Sequence, residues 1–337
     1  MKKWLIPAGV LAALVLGAYI AARTMLLAPY DGKTAARVYI PADATPESMA
    51  DSLRSAFGPS YGGKVARLLR WSGTEPSAAH GSYLVRPGTS AMRLSRNISK
   101  RRQTPVRFTF NNVRTLNQLA DRAGARMELS AEDFLAACDS MLPDRGYKGR
   151  AEFPAAFMPD TYEFYWTASP AKVVTTLADA RDRFWSEERR AAAARLGLTP
   201  VQVATVASIA EEETAAADER ATVARLYINR LHKGMKLQAD PTVKFAVGDF
   251  SLRRITGRHL QVESPYNTYR HEGLPPGPIR IVDAATLRTV LAAPAHDYLY
   301  MCAKEDFSGR HNFAVDGATH MANARRYRAA LDRRGIK

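Results

Sequence analysis

Residues 199–214 read TPVQVATVASIAEEET, and this stretch predicts the central helix of the fold. Thr199 can cap a helix, Pro200 suits its first position, and Gln202 completes a capping box. The apolar residues that follow recur at helical spacing, so we predict a helix with one buried face. This helix ends in three consecutive glutamates at positions 211–213, which are its most reactive side chains.

The three glutamates cannot share one environment, because consecutive helical residues point in directions about 100° apart. The apolar face predicts that Glu213 is half-buried, that Glu211 lies farther from this face, and that Glu212 is solvated. Half-burial raises the pKa of a carboxyl, and a protonated glutamic acid can donate to a leaving oxygen. An ordinary acidic helix end has the same pattern, so the helix alone leaves both interpretations open.

Polar and aromatic side chains are frequent over the residues that follow a second predicted helix, which ends before Gly234. Amides and carboxylates can hydrogen-bond sugar hydroxyl and acetamido groups, and tyrosine rings stack on the C–H faces of sugars. The stiff segment 273–279, GLPPGPI, comes next. We therefore predict a glycan groove, although a structural loop could contain the same residues. The candidate substrate-binding residues are Asn229, Gln238, Asp240, Tyr266, Asn267 and Tyr269.

An uncharged run at residues 4–22 is long enough, at about 28 Å as a helix, to cross a bilayer core. Lys2 and Lys3 precede it, which predicts that residues 1–3 stay in the cytoplasm. A cleaved signal peptide is the alternative, but residues 18–23, AYIAAR, match a cleavage site poorly. We predict a single-pass anchor in the inner membrane, with the rest of the chain on its extracytoplasmic side.

The chain has 337 residues and a formal net charge of +15, from 48 Lys and Arg against 33 Asp and Glu. Such a balance indicates an anionic partner, which could be nucleic acid, a membrane surface or an acidic polymer. Predicted export excludes nucleic acid. Basic residues concentrate at 96–107 and 325–337, which predicts non-specific attraction to anionic lipid or wall polymer.

Cofactor chemistry is not expected from this sequence. The chain has only two cysteines, Cys138 and Cys302, too few for a disulfide framework or a Cys-rich zinc site. His311 and His320 lack the spacing of a helical metal-ligand pair, and we predict that they are structural. No metal and no other cofactor is therefore predicted.

The region between the anchor and the glycan-groove residues is predicted to contain a linker at 23–37 and a small α+β domain at 38–105. Within that domain, residues 83–94 read YLVRPGTSAMRL and resemble the start of a LysM module. That family binds glycans containing N-acetylglucosamine. A plain strand, Pro-Gly turn and capped helix without a ligand has the same pattern, so glycan binding remains open here.

The block ASIAEEET at 207–214 closely resembles the signature of the endolytic murein transglycosylase (YceG-like) family. Glu212 differs from the pattern of this family, because relatives often have Lys there. Further segments match the same family in the same order. These segments are FMPDTY at 157–162, NRL at 229–231, GMKLQADPTV at 234–243, YNTY at 266–269, GLPPGPI at 273–279, and a C-terminal pattern of His311, Phe313, His320 and Tyr327.

The resemblance implies an α+β fold with a single N-terminal transmembrane helix, a small LysM-like α+β domain at 38–105 and an α+β catalytic transglycosylase domain at 106–337. The family's catalytic glutamate is the last of its Glu-x-Glu pair, which corresponds to Glu213. The implied reaction cleaves the bond between N-acetylmuramic acid and N-acetylglucosamine within glycan strands and leaves 1,6-anhydro ends. It would act in cell-wall synthesis, remodelling and strand termination.

The implied partners are peptidoglycan glycan strands, inner-membrane lipid, peptidoglycan synthases and the division or elongation machinery. Two other classes of function stay open. A lysozyme-like hydrolase would need a second carboxylate, for which Asp240 and Glu263 are the candidates. A noncatalytic wall-binding or division-scaffold protein would need no carboxyl chemistry.

Overall fold

The computed structural model describes residues 8–252 and 254–335, which form a mainly helical α+β chain with three two-stranded sheets. Contacts within the chain define two units. Unit 1 contains the residues up to Phe108 together with Ala125–Leu129 and Glu163–Ser169. Unit 2 contains Thr109–Gly124, Ser130–Tyr162 and the chain from Pro170 onwards. The predicted α+β class is confirmed.

Unit 1 is built from one short sheet and the helices packed on it. Strands β1 (Ala36–Ile40) and β2 (Gly81–Val85) pair antiparallel, with Val38 opposite Tyr83. Thr45 caps α2 (Pro46–Phe57) through a capping box, and Ser90 caps α5 (Ala91–Ser99). The elements in order are α1 (Ala8–Leu26), β1 (Ala36–Ile40), α2 (Pro46–Phe57), α3 (Pro59–Trp71), α4 (Pro76–Ala79), β2 (Gly81–Val85) and α5 (Ala91–Ser99).

Helix α1 contains an 18-residue apolar window, Gly9–Leu26, with mean hydropathy 1.8 and no buried surface. Its length and composition are compatible with a membrane anchor. Positions 4–7 of the predicted span lie outside the described residues, and the helix continues beyond the predicted end at residue 22. The prediction of a linker at 23–37 is therefore wrong at both ends, because α1 reaches Leu26 and β1 begins at Ala36.

The predicted domain boundary at 105/106 differs from the division in the structure, which lies after Phe108. The sequence also gave no sign that two later segments return to unit 1. Side-chain contacts explain their position: Glu128 accepts a hydrogen bond from the Ala42 amide at 3.2 Å and pairs with His80. Trp166 packs on Tyr39, with ring centroids 5.1 Å apart. These contacts join residues that are distant in sequence, so local composition cannot indicate them.

Unit 2 surrounds the helix predicted at 199–214. Its elements are β3 (Val106–Phe110), whose first residues belong to unit 1, α6 (Leu116–Gly124), α7 (Ala131–Met141), β4 (Asp160–Phe164), whose last two residues belong to unit 1, α8 (Pro170–Phe184), α9 (Glu187–Arg195), α10 (Pro200–Glu213), α11 (Arg220–His232), α12 (Asp240–Val247), α13 (Gly257–Leu260), α14 (Ala284–Leu291), β5 (Tyr300–Ala303), β6 (His311–Ala314) and α15 (Gly317–Arg333). Strand β3 pairs with β4, and β5 pairs antiparallel with β6.

Helix α10 begins with the capping box that its sequence predicts. The Thr199 hydroxyl accepts from the Gln202 amide at 3.3 Å, and the Gln202 side chain accepts from the Thr199 amide at 2.8 Å. The prediction of a single buried face is too narrow, because every residue from 203 to 210 is buried. The Ser208 hydroxyl is satisfied inside this core by the Ile279 amide at 3.0 Å and by the Thr205 carbonyl at 2.8 Å. A fully buried helix gives the residue at its end a fixed position.

Candidate active site

Glu213 is the last residue of α10, and its carboxyl group lines a pocket of about 210 Å³ in unit 2. Thr214 has an extended backbone and ends the helix there. Side chains from α11, from the start of α12 and from the β5–β6 hairpin surround the carboxyl. The lining residues are Glu213, Leu226, Tyr227, Arg230, Leu237, Gln238, Asp240, Tyr269, Met301, Cys302, Ala303 and His311.

Tyr227 is the direct partner of Glu213. Its hydroxyl donates to Glu213 Oε1 at 2.5 Å, and its side chain is 2% exposed. Burial raises the pKa of Glu213 to about 7, the Asp240 charge acts in the same direction, and the Tyr227 hydrogen bond and the Arg230 charge oppose them. Burial also raises the pKa of Tyr227 well above its usual value, so this hydroxyl stays a donor. Near neutral pH, Glu213 can therefore both give and accept a proton.

Asp240 and Tyr269 are polar residues that line the same pocket as Glu213. The Tyr269 hydroxyl donates to Asp240 Oδ1 at 2.7 Å, and burial together with Asp240 raises the pKa of Tyr269. Gln238, which also lines the pocket, has φ 51°, a left-handed conformation that a glutamine rarely adopts. The backbone amide of Gln238 donates to the Thr268 carbonyl at 3.1 Å, and this hydrogen bond stabilises the strained backbone conformation of Gln238.

Arg230 holds together the chain segments that line the pocket. Its guanidinium is buried, with Nε donating to the Leu299 carbonyl at 2.6 Å and Nη1 donating to the Leu237 carbonyl at 2.7 Å. These bonds join α11 to the segment before Gln238 and to the strand region before β5. One arginine thus connects the elements that carry the polar lining residues.

The YceG-like family model matches residues 38–326, which is most of the chain. The chain belongs to the YceG-like family. A crystal structure of a yceG-like protein from Listeria monocytogenes has the same fold, with a TM-score of 0.57 and 24% identity over 86% of this chain and 99% of that one.

Two curated relatives of this YceG-like chain carry the name endolytic murein transglycosylase. The Bacillus subtilis protein is 41% identical over 102 residues, which is 30% of this chain and 28% of that protein. The Streptococcus pneumoniae D39 protein is 25% identical over 228 residues, which is 60% of this chain and 41% of that protein. The chain thus spans less than half the length of the curated relatives that it matches.

The structure brings four of the predicted site residues of this YceG-like chain into one pocket. Gln238, Asp240 and Tyr269, predicted to bind substrate, line it together with Glu213, the predicted catalytic residue. The spacing of these four residues along the chain does not predict that they line one pocket. Asp240 begins α12, and the Tyr269 hydroxyl donates a hydrogen bond to Asp240, which brings Tyr269 to the same place.

Three predicted substrate-binding residues do not line this pocket. The Asn229 amide donates to the His296 carbonyl at 2.6 Å and the Tyr298 carbonyl at 3.2 Å, so it ties α11 to a distant loop. The Asn267 amide donates to the Leu260 and Val262 carbonyls at 3.0 and 2.8 Å. Tyr266 packs on Phe245, with ring centroids 4.6 Å apart. Partners within the fold thus engage both asparagine amides and the Tyr266 ring, and substrate binding by these three residues stays a prediction.

The prediction that Glu212 is solvated is wrong. Its side chain is 13% exposed, and its carboxylate bonds Arg114 at 2.9 Å and Arg280 at 2.8 Å. Arg280 also contacts Glu211 at 3.3 Å. The two arginines lie far from Glu212 in sequence, so the helical pattern could not indicate this ion-pair cluster. Glu211 keeps a buried oxygen without a partner among the described residues, and burial raises its pKa.

Tyr227, Arg230, Cys302 and His311 are pocket residues that sequence reasoning did not assign to the site. Tyr227 and Arg230 lie three residues apart on α11, and that spacing places both on one helix face. His311 Nδ1 lies 3.0 Å from Glu219 Oε2, and the His311 amide donates to Glu219 Oε1 at 3.1 Å. Across residues 8–252 and 254–335, no group of three or more His, Cys, Asp or Glu side chains could hold a metal ion.

Asn267 provides a test of its structural role. Asn267→Ala is expected to lower the free energy of unfolding by about 2 kcal/mol, because the buried Asn267 amide is lost and two part-buried carbonyls lose their donor. Chemical denaturation measures this change. The matched control Asn117→Ala removes an exposed amide and is expected to change stability by less than about 0.5 kcal/mol. An Asn267→Ala protein of unchanged stability with weaker substrate affinity would contradict the structural role.

Proposed function

We propose that this chain is a lytic transglycosylase that cleaves peptidoglycan glycan strands internally. The bond is the one between N-acetylmuramic acid and N-acetylglucosamine, and the product carries a 1,6-anhydro end. The observation that carries this proposal is the Glu213 carboxyl, whose pKa is raised to about 7 at the end of a buried helix and within a polar pocket. The name of the curated relatives, endolytic murein transglycosylase, supports the same substrate and reaction.

One carboxyl can serve both halves of this reaction. Protonated Glu213 gives its proton to the glycosidic oxygen as the bond from that oxygen to C1 of the muramic residue breaks. The C6 hydroxyl oxygen of the same residue then bonds to C1, and its proton returns to Glu213. No water is consumed, and the enzyme regains its starting state. A pKa near 7 suits a group that must act first as acid and then as base.

Asp240 would support the positive charge that develops on the sugar ring during bond cleavage. Its oxygen accepts from Tyr269 at 2.7 Å, and its charge helps to keep Glu213 protonated. Gln238 and Tyr269 offer polar groups to the sugar substituents at the pocket edge. We propose these three as the substrate-binding residues.

The hydrolytic alternative has less support. A hydrolase needs a second carboxylate as base or nucleophile. Glu263, one of the two candidates, is exposed, pairs with Arg270 and does not line the pocket. Asp240, the other, has one oxygen engaged by Tyr269, and its role as a charge-supporting group needs no water.

We propose that α1 anchors the chain in the inner membrane, with its N-terminus in the cytoplasm and the chain that follows α1 outside. The β2–α5 connection carries the LysM-like residues, and a pocket of about 450 Å³ lies beside it, lined by Arg86, Gly88, Arg93 and Asn97 among others. We propose that residues 38–105 contact wall glycan, and that synthases and the division or elongation machinery are partners. We propose that nucleic acid is not a partner.

Digestion of purified sacculi with the detergent-solubilised full chain tests the proposed reaction. Mass spectrometry of the released muropeptides is expected to show 1,6-anhydro-muramic ends. Reducing muramic ends instead would establish a hydrolase. Intact sacculi that still bind the protein would establish a noncatalytic wall-binding protein.

A further inference from the structure

A second pocket, of about 480 Å³, lies in unit 2 at the start of α10, the helix end opposite Glu213. The end of α8, residues 145–152 and the loop around Pro275 surround it. Its lining includes Arg181, Trp185, Lys148, Arg190, Thr205 and Pro275. None of these residues lines the pocket of Glu213.

Arg181 is the unusual member of this second pocket. Its side chain is 2% exposed, and among the described residues no carboxylate lies within ion-pair distance of its guanidinium. Its one hydrogen bond there is from Nη2 to the Pro200 carbonyl at 3.4 Å, although a guanidinium carries five N–H donors. Burial lowers the pKa of Arg181 to about 10. A buried charge without a counter-charge is costly, so this arginine lacks an anion.

Trp185 offers a second unused donor beside it. The Arg181 guanidinium lies 4.6 Å from the centroid of the Trp185 ring. Trp185 is 5% exposed, and its indole Nε1 is buried with no hydrogen-bond partner among residues 8–252 and 254–335. Buried indole N–H groups ordinarily find an acceptor. Trp185 therefore has a buried donor without an acceptor in the ring that packs against the Arg181 guanidinium.

The charges at the rim of the pocket have the same sign as Arg181. Lys148 and Arg190 are exposed and form no ion pair within the described part of the chain. The acidic lining residues are already engaged. Asp182 pairs with Arg145 at 2.6 Å, and Glu152 accepts from the Lys148 backbone amide at 2.9 Å. The pocket lining has four basic side chains, Arg145, Lys148, Arg181 and Arg190, against the two acidic ones, so its net charge is positive.

We propose that this second pocket binds a carboxylate of a peptide, with the Arg181 guanidinium as its donor, the Trp185 ring packed beside it, and Lys148 and Arg190 at its rim. The volume lies in the range of pockets that hold drug-sized molecules and exceeds what a single inorganic anion fills. Leu274, Pro275 and Pro276 form an apolar wall that suits peptide side chains. A planar guanidinium matches a carboxylate through two parallel hydrogen bonds.

The source of that peptide follows from the proposed function, on which this step rests: glycan strands of peptidoglycan carry acidic stem peptides. Helix α10 connects the two pockets, with Thr205 and Glu213 separated by about 12 Å along its axis. The chain from Tyr269 to Pro276 also has one end at each pocket. A stem peptide held at Arg181 would position its strand relative to Glu213.

Arg181→Met separates a ligand-binding role from a structural one. Replacing an unpaired buried charge by an apolar side chain of similar length is expected to leave the melting temperature equal or raised, and to weaken binding at least tenfold. Lys148→Ala alters an exposed rim residue, and we expect it to weaken binding severalfold without affecting folding. Arg183→Met is the matched control, because Arg183 is an exposed arginine on the same helix outside the pocket.

The test follows the Trp185 indole N–H resonance of the full chain in detergent micelles, labelled with ¹⁵N-tryptophan and assigned with Trp185→Phe. The tripeptide L-Ala–γ-D-Glu–L-Lys is expected to shift this resonance saturably. Its carboxyl-amidated form and Arg181→Met are each expected to weaken binding at least tenfold, and Arg183→Met to leave it unchanged. No saturable shift, or equal affinity in Arg181→Met, would overturn the proposal.

Inorganic phosphate forms the second arm, because phosphate groups of lipids or wall polymers are anions too. We expect phosphate to cause no saturable shift of the Trp185 resonance at concentrations at which the tripeptide saturates the protein. Phosphate binding as tight as tripeptide binding would overturn the peptide assignment. This readout does not depend on glycan cleavage. Tripeptide binding without anhydro products would contradict the proposed function alone, and anhydro products without tripeptide binding would contradict this pocket alone.

Discussion

Glu213→Gln is expected to lower the rate of anhydro-muropeptide release from sacculi by about a thousandfold or more, within the range for loss of a general acid and base. Glutamine keeps the shape of the side chain but cannot give or take the proton. Timed digestion followed by chromatography of the products measures the rate. A variant that keeps more than a tenth of the wild-type rate would exclude Glu213 as the proton donor.

The same variant is also expected to be more stable than the wild type above pH 7. The folded-state pKa of Glu213 is raised to about 7, so folding favours its protonated form. The ionised form therefore costs stability, and this cost grows as pH rises from the ordinary pKa of glutamate through 7. Thermal denaturation at pH 5 and pH 8 checks this sign. A gain in stability at pH 8 together with lost activity would show that the activity is not lost through unfolding.

Tyr227→Phe is expected to move the pH profile of the reaction and to lower its maximum about tenfold. The Tyr227 hydroxyl donates to Glu213 at 2.5 Å, and this bond favours the charged carboxylate. Its removal raises the pKa of Glu213 above about 7. The descending limb of kcat/KM, which reports loss of the proton from the acid, should therefore move to higher pH. The maximum falls because the carboxyl loses the group that orients it.

Tyr266→Phe is the matched control for that experiment. Tyr266 packs on Phe245, and its hydroxyl lies outside the Glu213 pocket. We expect the position of the descending limb to match that of the wild type. A limb that does not move in Tyr227→Phe, or that moves equally in Tyr266→Phe, would contradict the coupling between Tyr227 and Glu213.

Local signals predicted the helical frame of the site well. The capping box of Thr199 and Gln202 predicts where α10 begins. The run of apolar residues that follows predicts that this helix continues to Glu213, its last residue. The family resemblance made the same choice of glutamate. These features depend on residues within one or two helical turns of each other, which sequence patterns register directly.

Long-range partners decided what the sequence did not predict. Glu212 was predicted as solvated, but Arg114 and Arg280 pair with it from distant segments. Asn229 and Asn267 were predicted to bind sugar, but distant carbonyls use their amide donors. A polar side chain has the same appearance in a sequence whether it binds a ligand or the fold. Only the three-dimensional structure shows that Gln238, Asp240 and Tyr269 line the Glu213 pocket and that these two asparagines do not.

Digestion of sacculi in H₂¹⁸O by the wild type and by Glu213→Gln tests the central claim most directly, because an intramolecular attack uses no water. We predict that the wild type releases 1,6-anhydro ends without ¹⁸O at the muramic C1, and that Glu213→Gln releases almost none. Muramic ends that carry ¹⁸O at C1, or equal release of anhydro ends by the variant, would contradict the account.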